Sequence, residues 1–281
     1  MVAFNPTSTI GNIVYIVPPP GGIRASQEVE HNAATRTRAY NFSTVDKKMV
    51  IENLRGKEES VTLDTAGYQF IRHTSKHSAF TDDEEIEREY YPESVELIKK
   101  LTGASKVVLF DHTIRRRRPG QIDDHPQRRQ PIPQAHVDQT LASSIARVHR
   151  HIPPADVPFL LEKRFQIINL WRPISPNALD WPLALCDFRS VDRKEDTLPI
   201  ALVYPNREPG ETMGVKYNPN HKWTYFRGMT PDEAVLLKCF DSIQDGSVAI
   251  FTPHTGFEDP STPEDAPLRE SIEIRALVFY D

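Results

Sequence analysis

Proline punctuates this chain from end to end, at 24 of 281 positions, where an average protein carries about 5%. Each proline fixes φ and removes a backbone donor, which bars it from helix interiors and from the middle of a sheet. That distribution argues against long helical bundles, coiled coils and solenoids. It favours a loop-rich α+β fold that is mainly β. Length alone suggests one or two domains. The net charge of −5 argues against a nucleic-acid partner held through phosphate contacts. Cys186 and Cys239 sit in apolar surroundings and read as buried small hydrophobes, not as a disulfide framework. The first residues lack a basic stretch followed by an apolar one, and no run approaches the roughly 20 apolar residues of a membrane span. The expectation is a soluble cytoplasmic protein with neither a membrane nor a nucleic-acid partner.

Periodicity predicts the elements. Residues 1–45 mix short apolar runs with Pro and Gly, as suits an extended arm on a core, with a strand at 13–17. Homodimerisation through this arm is one arrangement open to it. Short extended segments are expected at 61–64 and 66–73, and an acidic helix start at 81–85. An amphipathic helix covers 91–101 and stops at Gly103. Strands are predicted at 106–114, 164–171, 184–188, 247–253 and 270–280, and helices from about 141 to 149 and at 231–240, with Pro231 in the first turn of the latter. Loops are expected at 119–134, 173–182 and 206–222. Arg115 to Arg118 form a basic run, read as solvated because Asp123 and Asp124 follow. Strands joined by loops, without βαβ alternation, point to an antiparallel barrel or sandwich.

No Walker, Rossmann, nucleophile-elbow or CxxC pattern is present. What remains is histidine and carboxylate. His136 and Asp138 are spaced i, i+2, which in a strand places both on one face. His254, at the end of a predicted strand, offers a third ligand. Two imidazoles and a carboxylate on one side of a metal are the facial triad of non-haem Fe(II) oxygenases. With ten histidines in the chain, chance spacing is the competing explanation. His73 and His77 are spaced for a helical ligand pair, and His149 and His151 for a helix surface. Beyond His254, Arg269 and Ser271 share a strand face at the start of the last strand. A guanidinium beside a hydroxyl makes a receptor for a carboxylate. Arg275 has the same parity, and the alternative is a solvated charged face.

These residues resemble a family. HVDQT (136–140), INLWRPI (168–174), LALCDFRSVD (183–192), HKWTYFRGMTPDEAVLLKCFDS (221–242), PHTGFEDP (253–260), RESIEIRALVFY (269–280) and TRAYNF (37–42) resemble the Fe(II)/2-oxoglutarate-dependent dioxygenases. Within them, the chain is similar to the fungal hydroxylase/desaturase group of natural-product clusters. That group includes gibberellin desaturase-like proteins and relatives of the cephalosporin methoxylase accessory subunit. The resemblance implies a double-stranded β-helix, a cupin-like jelly-roll with flanking helices, in one domain over 1–281. It implies Fe(II) on His136, Asp138 and His254, and 2-oxoglutarate held by Arg269 with Ser271, or by Arg275 instead. The wider than usual gap between His254 and Arg269 keeps both arginines in play. Arg172 and Tyr225 are further candidates for the co-substrate, against an Arg172–Asp187 pair and a core aromatic. The implied reaction uses O2 and an Fe(IV)-oxo hydrogen abstraction to hydroxylate, desaturate or rearrange a small natural product. Trp171, Trp181, Trp223 and Phe257 are candidates for an apolar substrate lining. The rival readings are a cupin-type metal isomerase, a dioxygenase that needs no 2-oxo acid, and a non-catalytic accessory protein.

Overall fold

Two sheets with different surroundings organise the chain. The computed structural model describes residues 6–30, 38–121, 123, 129–175 and 177–281. Parts of the expected arm (1–5 and 31–37), of the 119–134 loop (122 and 124–128) and position 176 of the 173–182 loop lie outside the described residues. The strands of the first half are β1 (Ser8–Val17), β2 (Ala25–Glu28), β3 (Ser43–Asn53), β4 (Tyr68–Arg72), β5 (Lys106–Arg116) and β6 (His136–Val137). In the second half come β7 (Phe165–Pro173), β8 (Leu183–Cys186), β9 (Thr197–Val203), β10 (Gly210–Val215) and β11 (Trp223–Tyr225). The last three are β12 (Glu233–Asp241), β13 (His254–Gly256) and β14 (Glu270–Phe279). The helices are α1 (Asp83–Glu85), α2 (Tyr91–Thr102), α3 (Leu141–His151) and α4 (Val157–Leu161).

The smaller sheet has the order β4-β12-β7-β14-β5 and the larger β1-β3-β11-β8-β13-β6-β10-β9-β2. Side-chain parity sorts the smaller sheet into two faces. Ile168 and Leu170 of β7, Leu236 of β12 and Ile272 and Ile274 of β14 pack against Ile86, Tyr90 and Ile98 of the helical layer. Trp171, Val235 and Leu237, of opposite parity, join Leu183, Leu185 and Phe226 between the sheets. Every residue of β7 and β12 is therefore buried. The larger sheet leaves one face wet: in β1 and β3, Ile10 and Val50 stand opposite each other at 60% and 62% exposure. Gly103 ends α2 as expected, at φ 72 with its N–H on the Lys99 carbonyl.

Several expectations are corrected. Residues 231–240 are not a helix. They contain β12, a central strand whose two buried faces erase the polar alternation that marks a strand. The span 247–253 holds no strand, although Ile250 and Phe251 are buried, and His254 begins β13 where a strand end was expected. The 206–222 loop contains β10. Only β4 forms from the two segments expected between 61 and 73. His73 and His77 lie before α1, outside any helix. The expected arm contributes β1 and β2, the two outermost strands of the larger sheet.

Candidate active site

His136 and His254 face each other in register across β6 and β13, their ring centroids 4.4 Å apart. Asp138 follows β6 directly, and Thr140 caps α3 two residues later through a reciprocal box with Ser143. The turn carrying Asp138 is thus pinned between a strand and a capped helix. His136 Nδ1 lies 2.8 Å from the Gln134 carbonyl and His254 Nδ1 lies 3.0 Å from that of Thr252. Donation to those carbonyls places the lone pair of each ring on Nε2. The two Nε2 atoms lie 3.4 and 3.9 Å from Asp138 Oδ1. The three side chains offer ligand atoms within 4.8 Å of one another. This donor set, two imidazole nitrogens and one carboxylate oxygen, fits Fe(II).

The other carboxylate oxygen belongs to the smaller sheet. Asp138 Oδ2 accepts from Asn169 Nδ2 at 2.8 Å and from Arg275 Nε at 2.9 Å. Asn169 and Arg275 are cross-strand partners on β7 and β14, and Asp111 of β5 stands opposite Arg275. Arg275 also contacts Glu273 and Asp111, each at 3.1 Å. Burial opposes ionisation of Asp138, yet the charge of Arg275 and the hydrogen bond to His136 hold its carboxyl well below the usual range. Burial, followed by the neighbouring His136, pushes His254 down to about 4. Its imidazole is neutral at physiological pH, as a metal ligand must be.

A narrow recess of ≈ 20 Å³ opens beside the triad, with Arg115, Trp171, Leu183, Gly256 and Arg269 in its lining. Arg269 is 3% exposed. Its backbone N–H donates to Asp180, 3.0 Å away, and its Nη1 donates to the Trp181 carbonyl, but its Nε is buried without a partner. A Cβ on Gly256 would lie 3.4 Å from Arg269 Nη1, so glycine leaves the guanidinium room. Burial, then the charge of Arg115, lowers Arg269 to about 9. Burial lowers Arg115 to about 10. Two desolvated cations and an orphaned donor in one recess favour an anion there.

Of the remaining candidates, Arg275 also lines the recess, while Arg172, Tyr225 and Ser271 lie outside that lining. Arg275 binds Asp138 and Glu273 and does not stand free for a co-substrate. Arg172 has the wrong parity: it faces the helical layer, bonded to Tyr90, His73 and the Pro231 carbonyl. Its expected partner Asp187 pairs with Arg189. Tyr225 donates to Asp259 at 3.2 Å and packs edge-on against Phe257, outside the recess lining. Ser271 is buried in register with Arg115 and is likewise outside that lining. Among the aromatics, Trp171 lines the recess, while Trp223 is a core residue bonded to Tyr15. Arg115, Asn169 and Glu273 were missed. Arg115 was hidden in a basic run, although strand parity separates it from Arg116, which pairs outward with Glu270. Asn169 had a signal, a polar residue inside an apolar strand, which needs a partner when buried.

Fold and cluster define a class: an oxidoreductase built on a double-stranded β-helix, with a candidate histidine–carboxylate metal centre between its sheets. Residues 13–279 match the family model described as Oxidoreductase/YMDC permease-like domain. The hydroxylase/desaturase efuI of Hormonema carpetanum is 34% identical over 275 residues, 90% of each chain. The Fe(II)/2-oxoglutarate-dependent dioxygenase nvfI of Aspergillus novofumigatus is 30% identical over 245 residues, 85% of each chain. A solved structure of the iron and alpha-ketoglutarate-dependent endoperoxidase NvfI superposes with a TM-score of 0.85 at 26% identity, covering 98% of both chains. The chain belongs to the fungal hydroxylase/desaturase family of Fe(II)/2-oxoglutarate-dependent dioxygenases.

Proposed function

We infer that the protein is a non-haem Fe(II)- and 2-oxoglutarate-dependent oxygenase of secondary metabolism. It acts on a small natural product by hydroxylation, desaturation or oxidative rearrangement. The observation that carries this reading is the meeting of His136, Asp138 and His254 with the buried, incompletely bonded Arg269 around one recess. Bound there, Fe(II) with 2-oxoglutarate and O2 supplies the oxidising power to break an unactivated C–H bond. The chain's own groups do the rest. The Gln134 and Thr252 carbonyls hold both Nε2 atoms toward the ion. Asn169 and Arg275 engage Oδ2 of Asp138, so that Oδ1 is the oxygen offered to it. Arg269, with Arg115 in the same lining, receives the distal carboxylate of the co-substrate through charge-assisted hydrogen bonds. Trp171 and Leu183 restrict water in the recess.

This reading treats residues 1–281 as one domain, because the three ligands come from distant parts of the chain. It takes the protein as cytoplasmic, in keeping with two buried free cysteines; among the described residues no helix is long and apolar enough to cross a membrane. The three side chains in ligating arrangement favour an enzyme over a non-catalytic accessory protein. The test is O2-dependent succinate formation from 2-oxoglutarate by protein loaded anaerobically with Fe(II). The parent is expected to form succinate, and Arg269→Ala to raise KM for 2-oxoglutarate on the order of 100-fold. Oxidation of added metabolites without 2-oxoglutarate would instead favour a dioxygenase that needs no 2-oxo acid.

A further inference from the structure

A second opening shares Asp138 with the recess. It is a groove of ≈ 290 Å³ between α3 and the hairpin of β9 and β10, with Asp138 and Gln139 in its lining. Arg147 and Arg150 from α3 and Arg207 from the hairpin contribute to its lining. The positions 143, 146, 147 and 150 that line it repeat at helical spacing, so one face of α3 forms the wall.

The charge in this groove is unbalanced. Glu211 is already taken, by Arg24 at 2.6 Å and by the Thr140 hydroxyl. Arg147 lies over the Phe110 ring and Arg207 over the Tyr204 ring, at 5.1 and 3.5 Å. Among the described residues, neither these two nor Arg150 forms a hydrogen bond or an ion pair with a carboxylate. The other carboxylates of the wall are Asp138, which is bonded to Asn169 and Arg275, and the exposed Glu208. Burial lowers Arg147; the nearby Asp111 carboxylate works against that shift, and the neighbouring cation Arg150 adds to it. A half-buried guanidinium kept beside another cation, with no carboxylate in direct contact among the described residues, is a receptor for an anion.

We propose that this groove binds the organic substrate, and that the substrate carries a carboxylate held by Arg147 and Arg150, with Arg207 above it. The inference rests on the oxygenase reading and names the substrate class of that same site. At 1.5 Å per residue, Arg147 and Arg150 lie roughly 9 to 14 Å along α3 from its first residue. The carbon to be oxidised, beside Asp138, is therefore separated from the carboxylate by about that length. The substrate is an elongated organic acid, oxidised at the end remote from its acid group.

The test uses phenyloctanoate and the uncharged phenyloctanol as matched probes of suitable length. Calorimetry is carried out on Zn(II)-loaded protein saturated with 2-oxoglutarate. The acid is expected to bind about tenfold more tightly than the alcohol, with an affinity that falls as salt is raised. The Arg147→Gln/Arg150→Gln double variant is expected to lose this preference while binding Zn(II) and 2-oxoglutarate as the parent does. Equal affinity for acid and alcohol, binding of neither, or a preference that survives the double substitution overturns the proposal. In each of those cases the oxygenase reading still stands if the parent binds metal and co-substrate. A parent that binds neither metal nor 2-oxoglutarate overturns both.

Discussion

The two sheets share the candidate centre unequally. The larger sheet supplies the candidate ligands His136 and His254 from very short strands, β6 with 2 residues and β13 with 3, and Asp138 from the turn after β6. The smaller sheet supplies no ligand, yet its long strands β7 and β14 carry Asn169 and Arg275, which grip the third ligand from behind. Short strands place few backbone bonds around each histidine. The long strands of the smaller sheet form a frame that resists distortion, and Asn169 and Arg275 reach Asp138 from it. Coordination and rigidity thus come from different parts of the molecule, and they meet on the two oxygens of one carboxylate.

Substitutions on the four faces of the two sheets should separate these contributions. The largest effect on metal binding is expected at the inner face of the larger sheet. His136→Ala should weaken metal affinity by more than about 100-fold, beyond the range for residues that merely support a ligand, while far-ultraviolet circular dichroism remains that of the parent. A His136→Ala protein that keeps its iron would remove the triad. Arg275→Met, on the inner face of the smaller sheet, should lower both properties. It leaves Asp138 and Glu273 buried without their cation, at a cost of about 3–5 kcal/mol in urea unfolding, and it should weaken Co(II) binding about 10- to 100-fold. A raised KM for 2-oxoglutarate with unchanged metal affinity would return Arg275 to the co-substrate. Arg172→Met, on the helical side of the same sheet, should cost about 1–3 kcal/mol through the orphaned His73 and Pro231 carbonyls. Its affinity for 2-oxoglutarate, measured by titration, should not change. The smallest effect is expected on the wet face of the larger sheet, where Val50→Thr should shift unfolding by less than about 0.5 kcal/mol.

The same contrast explains what the sequence disclosed. His136 and Asp138 were singled out by a spacing of two on one strand, but the strand ends at Val137 and the turn after it brings Asp138 beside His136; His254 followed from the family resemblance and from its place beside a strand. Arg269 was legible as the first charged residue at the mouth of the last strand. Arg172 was misplaced because its neighbour Trp171 faces the recess and consecutive strand residues face opposite ways. β12 was mistaken for a helix because both of its faces are buried, which leaves an apolar run without the alternation that separates the two structures. The part played by Arg115 depends on its pairing with β14, a partner more than 150 positions away that no local pattern reveals.

Asp138 lines both the recess and the groove. The recess draws its lining from β5, β7, β14 and the residues around them, and the groove from α3 and the β9–β10 hairpin. If the groove selects the organic substrate as proposed, its wall can accumulate changes in residues 142–150 and 202–211 without disturbing the groups proposed to hold the co-substrate. One scaffold can in this way serve many metabolites through local sequence drift, while its oxidising chemistry stays fixed.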